Sequence, residues 1–422
     1  MPNATLMDAP LTKVPQTETT AGDNLARGMK MALLTGCKDR HYAFGMAMGL
    51  AAKGVRVDVI GSDEIDSPEL HTTPNIQFLN LRGDREGRTT RFGKLLNLLT
   101  YYAKLIWYAA RSDAEVFHIL WNNKLELFDR TLLMLYYRLC GKKIVLTAHN
   151  VNQARRDEKD SLSNRATLRT QYQLSDHVLV HTQRMKEELC HEFGKSEDAV
   201  TVLRYPMNNA VPETSLTPAA AKQRLGLKSS DRALMFFGRI RPYKGIEHLL
   251  DAFRYVQDDR QSNYRLIIAG EPKKGSEEYL REIEQIVQGF RPEKVILEFK
   301  LIPDEDIELY FKAADVLVLP YKEIFQSGVL FLAYSLGLPA IATDVGSFHE
   351  DIVEGTTGFL CKPGDPEDMA RAIRQYFSSD LYRNLTGRRR ELVDYAHANH
   401  SWDAVAELTC RAYAQITGRK PS

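Results

Sequence analysis

The sequence predicts an α/β protein with two doubly wound, Rossmann-like parallel-sheet domains that face a central cleft. From Met29 onwards, short apolar runs alternate with amphipathic stretches, which is the pattern of parallel strands covered by helices on both faces. The alternation breaks once, between about 206 and 231, where three prolines fall and no strand pattern occurs. A chain of 422 residues is also too long for one ordinary core.

Each predicted strand is an apolar run that ends at a glycine or a polar residue. In the first half the strands cover 30–35, 55–60, 76–81, 116–120, 143–148, 177–181 and 200–203. The helices between them cover 42–53, 89–111, 127–140, 161–174 and 182–193. The second half begins the pattern again, with strands at 233–237, 264–269, 295–299, 316–319, 340–342 and 358–361 and a helical tail over 366–417.

These patterns divide the chain into five parts. The first is a tail that we expect to be disordered, because it mixes Pro, Thr, Asn and Asp without the apolar run of a signal peptide. The parts are the tail 1–27, an N-terminal domain over 28–212, a linker over 213–230, a C-terminal domain over 231–398 and a final helix over 399–422.

Charge and cysteine usage exclude several classes of protein. The net charge of +1 gives no reason to expect a nucleic acid partner. The five cysteines are scattered and no CxxC pair occurs, so neither a zinc site nor a disulfide framework is indicated. No run of about 18 apolar residues is present to span a bilayer. We therefore expect a cytoplasmic protein.

Two cations follow the first strand of the second half. Gly238 ends the apolar run 233–237, Arg239 and Lys244 come next, and a helical pattern starts at Ile246. In an open α/β sheet the loop between a strand and a helix lies at the crevice where ligands bind. The alternative is two solvated surface charges. We favour a binding role, because fixed cations stabilise the charge that grows on a diphosphate leaving group.

A second loop with binding character follows the strand 316–319. Ser327 and Gly328 open a helix that continues with Val329, and the N–H groups at a helix N-terminus attract anions. The Ser327 hydroxyl is either a phosphate ligand or a simple N-cap, and both roles are compatible. Glu323 either bonds a sugar hydroxyl or is a surface carboxylate.

Three further candidates lie at the ends of strands. Gly36 follows the first strand and permits a close backbone approach, but no GxGxxG fingerprint accompanies it, so a nicotinamide-dependent dehydrogenase is disfavoured. His149 follows the strand 143–148 at the edge of the cleft, and this position favours a functional imidazole over a structural one. Glu350 either faces the ligand or begins a helix, where a carboxylate suits the dipole.

The helix over 91–111 is apolar, aromatic and basic. The first interpretation is a helix that packs on the sheet through one apolar stripe. The second is partial insertion at a membrane surface, with Lys94, Lys104 and Arg111 near lipid headgroups. The second interpretation would make the protein peripheral at the inner face of the membrane.

In this order, the motifs of the second half are similar to those of a retaining glycosyltransferase of family 4, in the GT-B superfamily. The match is clearest over 232–365, in the phosphate loop 238–245, the segment 313–320, and the segments 337–346 and 355–360. The form Gln326-Ser327-Gly328-Val329 resembles a subgroup of bacterial sugar transferases. By analogy with the family, and because of the helix over 91–111, we expect a role in exopolysaccharide or surface glycan synthesis.

The resemblance implies a nucleotide-diphosphate sugar bound mainly by the C-terminal domain, and a glycan or lipid-linked glycan acceptor on the N-terminal side. It implies that the final helix crosses back to the first domain. The catalytic residues would be His149, Arg239, Lys244 and Glu323. The donor would contact Gly36, Gly238, Gln326, Ser327, Gly328, Val329 and Glu350, with Phe299, Lys300 and Ile302 along the nucleobase.

Metal dependence is not expected. Asp304-Glu305-Asp306 is formally the DxD sequence that holds a metal in some sugar transferases, but here it precedes a helical run and is typical of an acidic helix start. We therefore expect no metal and no bound cofactor. The reaction would retain the anomeric configuration on one face of the sugar, with the departing phosphate accepting the proton of the acceptor.

One position departs from the family pattern. The family often carries two glutamates seven residues apart, and here the second falls on Leu332, while the first falls on Ile324 or Glu323. A leucine cannot bond ribose hydroxyls. Two alternatives therefore stay open: a sugar-nucleotide epimerase of the same superfamily, and a catalytically silent sugar-nucleotide-binding protein.

Overall fold

The computed structural model describes residues 26–83, 91–156, 159–207, 211, 214–257, 263–273 and 275–419. Within these residues two parallel sheets, of seven and six strands, confirm the predicted fold class. Residues 1–25 of the predicted disordered tail lie outside the described residues. Ala26, which the prediction also assigned to the tail, is buried.

The first sheet has the strand order β3-β2-β1-β4-β5-β6-β7. Its strands are β1 Lys30–Leu34, β2 Arg56–Gly61, β3 Ile76–Asn80, β4 Val116–Ile119, β5 Lys143–Thr147, β6 His177–Val180 and β7 Val200–Val202. The helices are α1 Arg40–Ala52, α2 Pro68–Thr72, α3 Arg91–Arg111, α4 Glu126–Phe128, α5 Met134–Leu139, α6 Gln153–Arg156, α7 Leu162–Leu174 and α8 Gln183–Phe193. A π-helical turn, Asp129–Leu133, joins α4 to α5.

The second sheet has the order β10-β9-β8-β11-β12-β13. Its strands are β8 Arg232–Phe237, β9 Tyr264–Ala269, β10 Val295–Glu298, β11 Val316–Leu319, β12 Ala340–Thr343 and β13 Gly358–Cys361. The helices are α9 Pro218–Arg224, α10 Ile246–Gln257, α11 Glu277–Val287, α12 Asp304–Ala313, α13 Gly328–Ser335, α14 Phe348–Asp351, α15 Pro366–Ser378, α16 Asp380–Arg383, α17 Leu385–Asn399 and α18 Trp402–Thr417.

In each sheet the strand order reverses beside the first strand of that sheet. β1 pairs with β2 on one side and β4 on the other, and β8 pairs with β9 and β11 in the same way. At such a reversal the two flanking loops leave in opposite directions and open a crevice at the carboxyl ends of the strands. The loops after β8 and β11 are the two that the sequence singled out for an anion.

The final helix packs on the first domain. Helix α18 lies along α1. The two helices approach closely because Gly45, on the contact face of α1, has no Cβ. A Cβ at Gly45 would lie 2.0 Å from the Trp402 ring, which no packing adjustment short of moving a helix could relieve. Within the described residues, both the first strand β1 and the last helix α18 therefore belong to the first domain.

The linker contains structure that the sequence analysis did not predict. Helix α9 packs on α12 of the second domain, and its Lys222 is buried. The Lys222 ammonium lies 2.8 Å from the Asp315 carboxylate and also donates to the Asp231 carbonyl at 2.6 Å. Asp315 in turn accepts a hydrogen bond from the backbone N–H of Ala233 at 2.8 Å. These contacts tie the linker to the start of β8.

Other helical assignments also differ from the sequence prediction. The helix predicted over 127–140 is interrupted by the π-helical turn, and α2 and α11 were not predicted at all. The acidic run from Asp304 is the first turn of α12, as the sequence indicated. Among the described helices none is both long and apolar enough to cross a membrane.

The buried ion pair gives a stability prediction. Asp315→Asn keeps the size of the side chain but leaves the Lys222 ammonium buried without a counter-charge, so we expect a loss of about 3 kcal/mol in the free energy of unfolding of the second domain. Urea denaturation would measure it. The control is Asp251→Asn, which breaks an exposed pair with Arg254 at 3.0 Å, and we expect less than about 1 kcal/mol there. Equal losses in the two variants would contradict the assignment.

Candidate active site

A cleft of about 470 Å³ lies between the two domains. The first domain and the segment that leaves it contribute aromatic and polar side chains, and the second domain contributes cations and the start of α13. The lining residues are Asp39, His41, Tyr42, Tyr205, Pro206, Met207, Arg239, Tyr243, Lys244, Gly328, Val329, Leu332 and Trp402. Four of the residues that the sequence analysis named are therefore on one wall, Arg239, Lys244, Gly328 and Val329.

The two cations have different environments. The Lys244 side chain is buried, and its ammonium lies 3.7 Å from the centroid of the Tyr321 ring, on the ring face. Such a contact holds a cation in place while leaving its donors directed outward. Arg239 is exposed and faces the first domain. Burial raises the pKa of Asp39 there, and the positive charge of Arg239 offsets part of that rise. The Lys244 ammonium is thus held in place, while the exposed Arg239 side chain can change its conformation.

A glycine allows the loop after β8 and the loop after β11 to come into contact. Gly245 has φ +64°, and a Cβ there would lie 2.1 Å from the carbonyl oxygen of Pro320. Only a residue without a side chain permits this approach. The adjacent Lys322 N–H donates to the carbonyl of Tyr243 at 2.9 Å, so the loop after β8 and the loop after β11 form one unit.

The start of α13 faces the cleft. Gly328 is exposed, and Val329 packs near the backbone of Gly238 at the end of β8. Ser327 is buried and makes no side-chain N-cap, and its hydroxyl lies 3.4 Å from the Tyr321 hydroxyl. The N-cap role considered for Ser327 is therefore not what the geometry shows. Leu332, one turn further along, is buried and lines the cleft where the family glutamate is expected.

Gln326 and Glu350 lie beside a carboxyl that the sequence analysis did not single out. The Gln326 side-chain amide donates to Asp351 at 3.3 Å. Burial raises the pKa of Asp351 to about 7, and the nearby Glu350 adds to that rise. Glu350 itself is exposed on the short helix α14. Gln326 and Glu350 do not line the described cleft.

Glu323 and its neighbour Phe325 reach across to the first domain. Phe325 packs against the apolar core of that domain. The pKa of Arg155 is raised, chiefly by its hydrogen bond with Glu192, and Glu323 adds to the rise. The loop after β11 therefore touches both domains. In this arrangement Glu323 faces the α6–α8 side of the first domain, beyond the residues that line the cleft.

The remaining donor candidates are not among the residues that line the cleft. Phe299 is half-buried, Lys300 is exposed and pairs with Glu298 at 2.8 Å, and Ile302 is buried in the second core. Gly36 approaches protein, since a Cβ there would lie 2.5 Å from the carbonyl oxygen of Trp121. The close backbone approach expected at Gly36 therefore serves the junction of two strand ends in the first sheet.

His149 lies in a cluster of rings at the end of β5. Its imidazole stacks on Trp121 with a centroid distance of 4.2 Å and an interplanar angle of 4°, and Tyr42 meets it edge-on at 4.6 Å. Burial lowers the pKa of His149 well below its usual value, and His181 adds to the effect. His149 is therefore neutral at physiological pH.

The hydrogen bonds of His181 fix the tautomer of His149. Nδ1 of His181 lies 3.3 Å from the carbonyl of Leu203, which can only accept, so Nδ1 carries the proton. Nε2 of neutral His181 must then accept, and it lies 3.1 Å from Nδ1 of His149. His149 therefore donates from Nδ1 and keeps a lone pair on Nε2. That Nε2 is buried and has no partner among the described residues.

A smaller pocket of about 110 Å³ adjoins His149 inside the first domain. Its wall is formed by the indole of Trp121, by amides and by charged side chains. The polar lining includes Lys38, Asn122, Glu126, Arg130, Asn150, Gln153 and Gln171. Amides beside an aromatic ring suit a hydroxylated ligand, because each amide both donates and accepts.

Several lining residues were missed by the sequence analysis. Tyr42, Tyr205 and Trp402 join the ring cluster from three distant parts of the chain, with Tyr42 5.1 Å from Trp402 and 5.7 Å from Tyr205. Asp39 adopts φ 40° and caps α1 by accepting from the Tyr42 N–H at 3.1 Å. The one available signal was the pair of glycines in α1, Gly45 and Gly49, whose spacing of four marks a face for close helix packing.

Two family models match the chain. "Glycosyl transferases group 1" matches residues 219–397, and "Glycosyltransferase Family 4" matches residues 41–207. Among curated relatives, a D-inositol 3-phosphate glycosyltransferase of Corynebacterium efficiens is 25% identical over 400 residues, which is 89% of this chain and 90% of the relative. One from Streptomyces avermitilis is 28% identical over 247 residues, 57% of this chain and 52% of the relative.

Solved structures share the fold at low identity. Sucrose-phosphate synthase from Thermosynechococcus elongatus superimposes with a TM-score of 0.73 and 20% identity, covering 92% of this chain and 99% of the other. HepE from Anabaena, in complex with UDP-glucose, gives a TM-score of 0.68 and 16% identity over 92% of this chain and 99% of the other. These similarities establish the two-domain GT-B architecture.

The neutral state of His149 gives a pH prediction. Its pKa is depressed in the folded chain, so it takes up a proton only on unfolding, and stability falls as the pH drops through about 6.5, the usual value for histidine. His149→Gln removes this contribution. The unfolding free energy of this variant should change less with pH than that of the wild type. Near pH 5 we expect the two slopes to differ by ~1.4 kcal/mol per pH unit.

Urea denaturation at pH 7, 6 and 5 would compare the two proteins. Equal pH slopes for the wild type and His149→Gln would show that the imidazole is charged in the folded chain.

Proposed function

The chain belongs to glycosyltransferase family 4, and from that premise we propose that it is a retaining hexosyltransferase. It would move a hexose from a nucleotide-diphosphate sugar to a glycan or lipid-linked glycan acceptor, in exopolysaccharide or surface glycan synthesis. The observation that carries the proposal is the single cleft wall on which Arg239, Lys244 and the start of α13 lie together.

The diphosphate is assigned to that wall. Lys244 is held against the Tyr321 ring before any ligand arrives, so its charge needs no reorganisation when the leaving group becomes more negative. Arg239 is exposed and has the freedom to follow the phosphates. The N–H groups at Gly328 and Val329 add donors at the positive end of the helix dipole. Fixed positive charge of this kind replaces a metal ion in the proposed mechanism.

The transferred sugar is assigned to the space beside His149. The lone pair on Nε2 of a neutral imidazole accepts a hydrogen bond from a hydroxyl and does not compete with the phosphates for the cations. HepE was solved with UDP-glucose, which supports a nucleoside-diphosphate hexose as the donor class. The acceptor is assigned to the amide-lined pocket on the other side of His149, where Asn122 and Gln171 bond each other at 2.8 and 3.2 Å and are free to exchange partners with hydroxyls.

The groups that line the cleft support a retaining reaction. The wall that holds the diphosphate offers cations and N–H donors, and the opposite wall offers the rings of Tyr42, Tyr205 and Trp402. The carboxyl among the lining residues, Asp39, accepts the N-cap hydrogen bond of α1. A departing phosphate oxygen would take the proton of the acceptor hydroxyl on the same face of the sugar, so that the new bond forms where the old one breaks. Glu323, the carboxylate on the loop that touches both domains, would contact the bound sugar or acceptor.

The part of the protein assigned to the nucleoside lacks the expected carboxylate. Leu332 stands where a ribose-binding glutamate is expected, and its apolar side chain cannot accept from the ribose. We assign the base to the neighbourhood of Phe299, Lys300 and Ile302, and further donor contacts to Gly238 and Ser327 at the ends of the two anion-binding loops. Leu332 also favours the second candidate, a catalytically silent sugar-nucleotide-binding protein.

A donor screen would separate these candidates. Thermal shifts with UDP-, GDP-, ADP- and dTDP-sugars would identify the base, since a ligand that binds only the folded chain raises its melting temperature. Incubation of the preferred donor with and without acceptors, followed by NMR of the products, would then read out transfer and anomeric configuration. A changed sugar without acceptor would indicate an epimerase, and binding without turnover would indicate the silent protein.

Removal of either cation should reduce turnover. We expect Arg239→Ala and Lys244→Met each to lower kcat about 100-fold, because each removes a positive charge that acts most strongly on the departing diphosphate. The methionine retains most of the buried volume of Lys244. The measurement is the initial rate of donor consumption at saturating acceptor.

Arg254→Ala is the matched control for this prediction. Arg254 is an exposed arginine on α10 that pairs with Asp251, and its removal should change kcat less than twofold. A double variant of Arg239 and Lys244 that turns over at the wild-type rate would refute the phosphate assignment.

A further inference from the structure

We infer that two neighbouring helices of the first domain form a docking surface for an anionic lipid bilayer. The helices are α3 and the segment from α4 to α5. The inference deepens the proposed function, since it names the surface from which a lipid-linked acceptor would be presented. It involves a second helix that the sequence analysis did not connect with membranes.

The two helices run side by side in the same direction. The Tyr102 hydroxyl donates to Asp129 at 2.9 Å, and the Tyr136 hydroxyl donates to the carbonyl of Ile106 at 3.1 Å. The residues in these pairs are 27 and 30 positions apart, and this nearly constant offset is the mark of parallel neighbours. Both helices bury one side against the sheet and leave the opposite side uncovered.

Large apolar side chains occupy the uncovered sides. We call this set the leucine face: Leu95, Leu96, Leu99, Trp107, Leu127, Leu132, Leu135 and Leu139, all exposed. Isolated exposed leucines are ordinary on a protein surface, but a contiguous apolar patch on adjacent helices marks an interaction site. Trp107 lies next to Arg111, whose guanidinium is 4.7 Å from the indole centroid, a pairing that suits the boundary between headgroups and acyl chains.

The positive charge of the same segments favours an anionic binding partner. Residues 91–111 and 126–143 contain eight Lys and Arg against two acidic residues, in a chain that is nearly neutral overall. Of the two acidic residues, Asp129 is buried and Glu126 pairs with Arg130 at 2.8 Å. Arg138 and Lys143 are each 3.6 Å from Asp176, which offsets part of that charge. A symmetric dimer through the leucine face would bring two such basic surfaces together. An anionic bilayer provides both the apolar interior and the opposite charge.

The segment that carries part of the leucine face also reaches the pocket beside His149. Glu126 and Arg130 line that pocket, and Leu127 of the leucine face lies between them in the chain. A bilayer against the leucine face would therefore lie close to the mouth of the pocket. In this orientation an acceptor anchored by a lipid chain reaches His149 without leaving the membrane surface.

Vesicle binding by the full chain tests the inference. The probes are vesicles of phosphatidylcholine with 30% phosphatidylglycerol, and vesicles of phosphatidylcholine alone. We expect the wild type to float with the anionic vesicles and to remain largely unbound with the neutral ones. The double variant Leu135→Glu/Leu139→Glu, which leaves α3 intact, should bind anionic vesicles about tenfold less, since two carboxylates replace apolar contacts.

The matched control carries the same change of charge elsewhere. Leu162→Glu/Val353→Glu alters side chains outside the leucine face that are 87% and 40% exposed, against 78% and 45% for Leu139 and Leu135. We expect this control to change vesicle binding less than twofold. Circular dichroism and the melting temperature would show that both double variants are folded.

Three results would overturn the inference: no binding of the wild type to anionic vesicles, equal losses in the two double variants, or a loss of self-association in the Leu135/Leu139 variant with vesicle binding unchanged. The last result would assign the leucine face to a second copy of the chain. Donor-induced thermal shifts, measured on the same proteins in solution, keep the two proposals separate. A failure of the donor to bind would contradict the proposed function and leave the vesicle result standing.

Discussion

The contact between the loops that follow β8 and β11 is the constraint on which the candidate site depends. Gly245 gives the backbone of one loop room beside Pro320 of the other, and Lys244 is carried with it onto the face of Tyr321. A cation that is positioned by packing contributes its full electrostatic effect at the moment of bond breaking. The reversal of strand order beside β8 supplies the crevice, and this glycine contact supplies its positive wall.

The opposite wall has complementary chemistry. Burial among the rings of Trp121 and Tyr42 lowers the pKa of His149 and keeps its imidazole neutral. The hydrogen bonds from the Leu203 carbonyl through His181 fix its tautomer, so that the Nε2 lone pair is unpartnered among the described residues. The Arg239 and Lys244 side chains that line the cleft both belong to the second domain. In the proposed function they hold the phosphates, and the neutral His149 accepts a hydrogen bond from the sugar.

The sequence predicted the strands well because buried parallel strands are continuous apolar runs, and β9, β11 and β13 have the expected bounds. Helix α9 was missed because Lys222, the residue that fixes it, is of a type normally found on surfaces. The glycine and lysine motifs of the second domain are local in sequence and could be identified. The partners of His149 are separated from it by tens to hundreds of residues, and no local pattern connects them. Glu323 was named as a site residue, but its approach to the first domain depends on the relative placement of the domains.

The packing of α18 on α1 has a consequence for biosynthesis. Because Gly45 and its neighbours are covered by the helix that begins at Trp402, the first domain lacks part of its interior until α18 has been synthesised. The elements of the second domain from β8 to α17 are contiguous in the chain and all precede α18. The sheet of the second domain can therefore be completed while the surface of α1 is still uncovered.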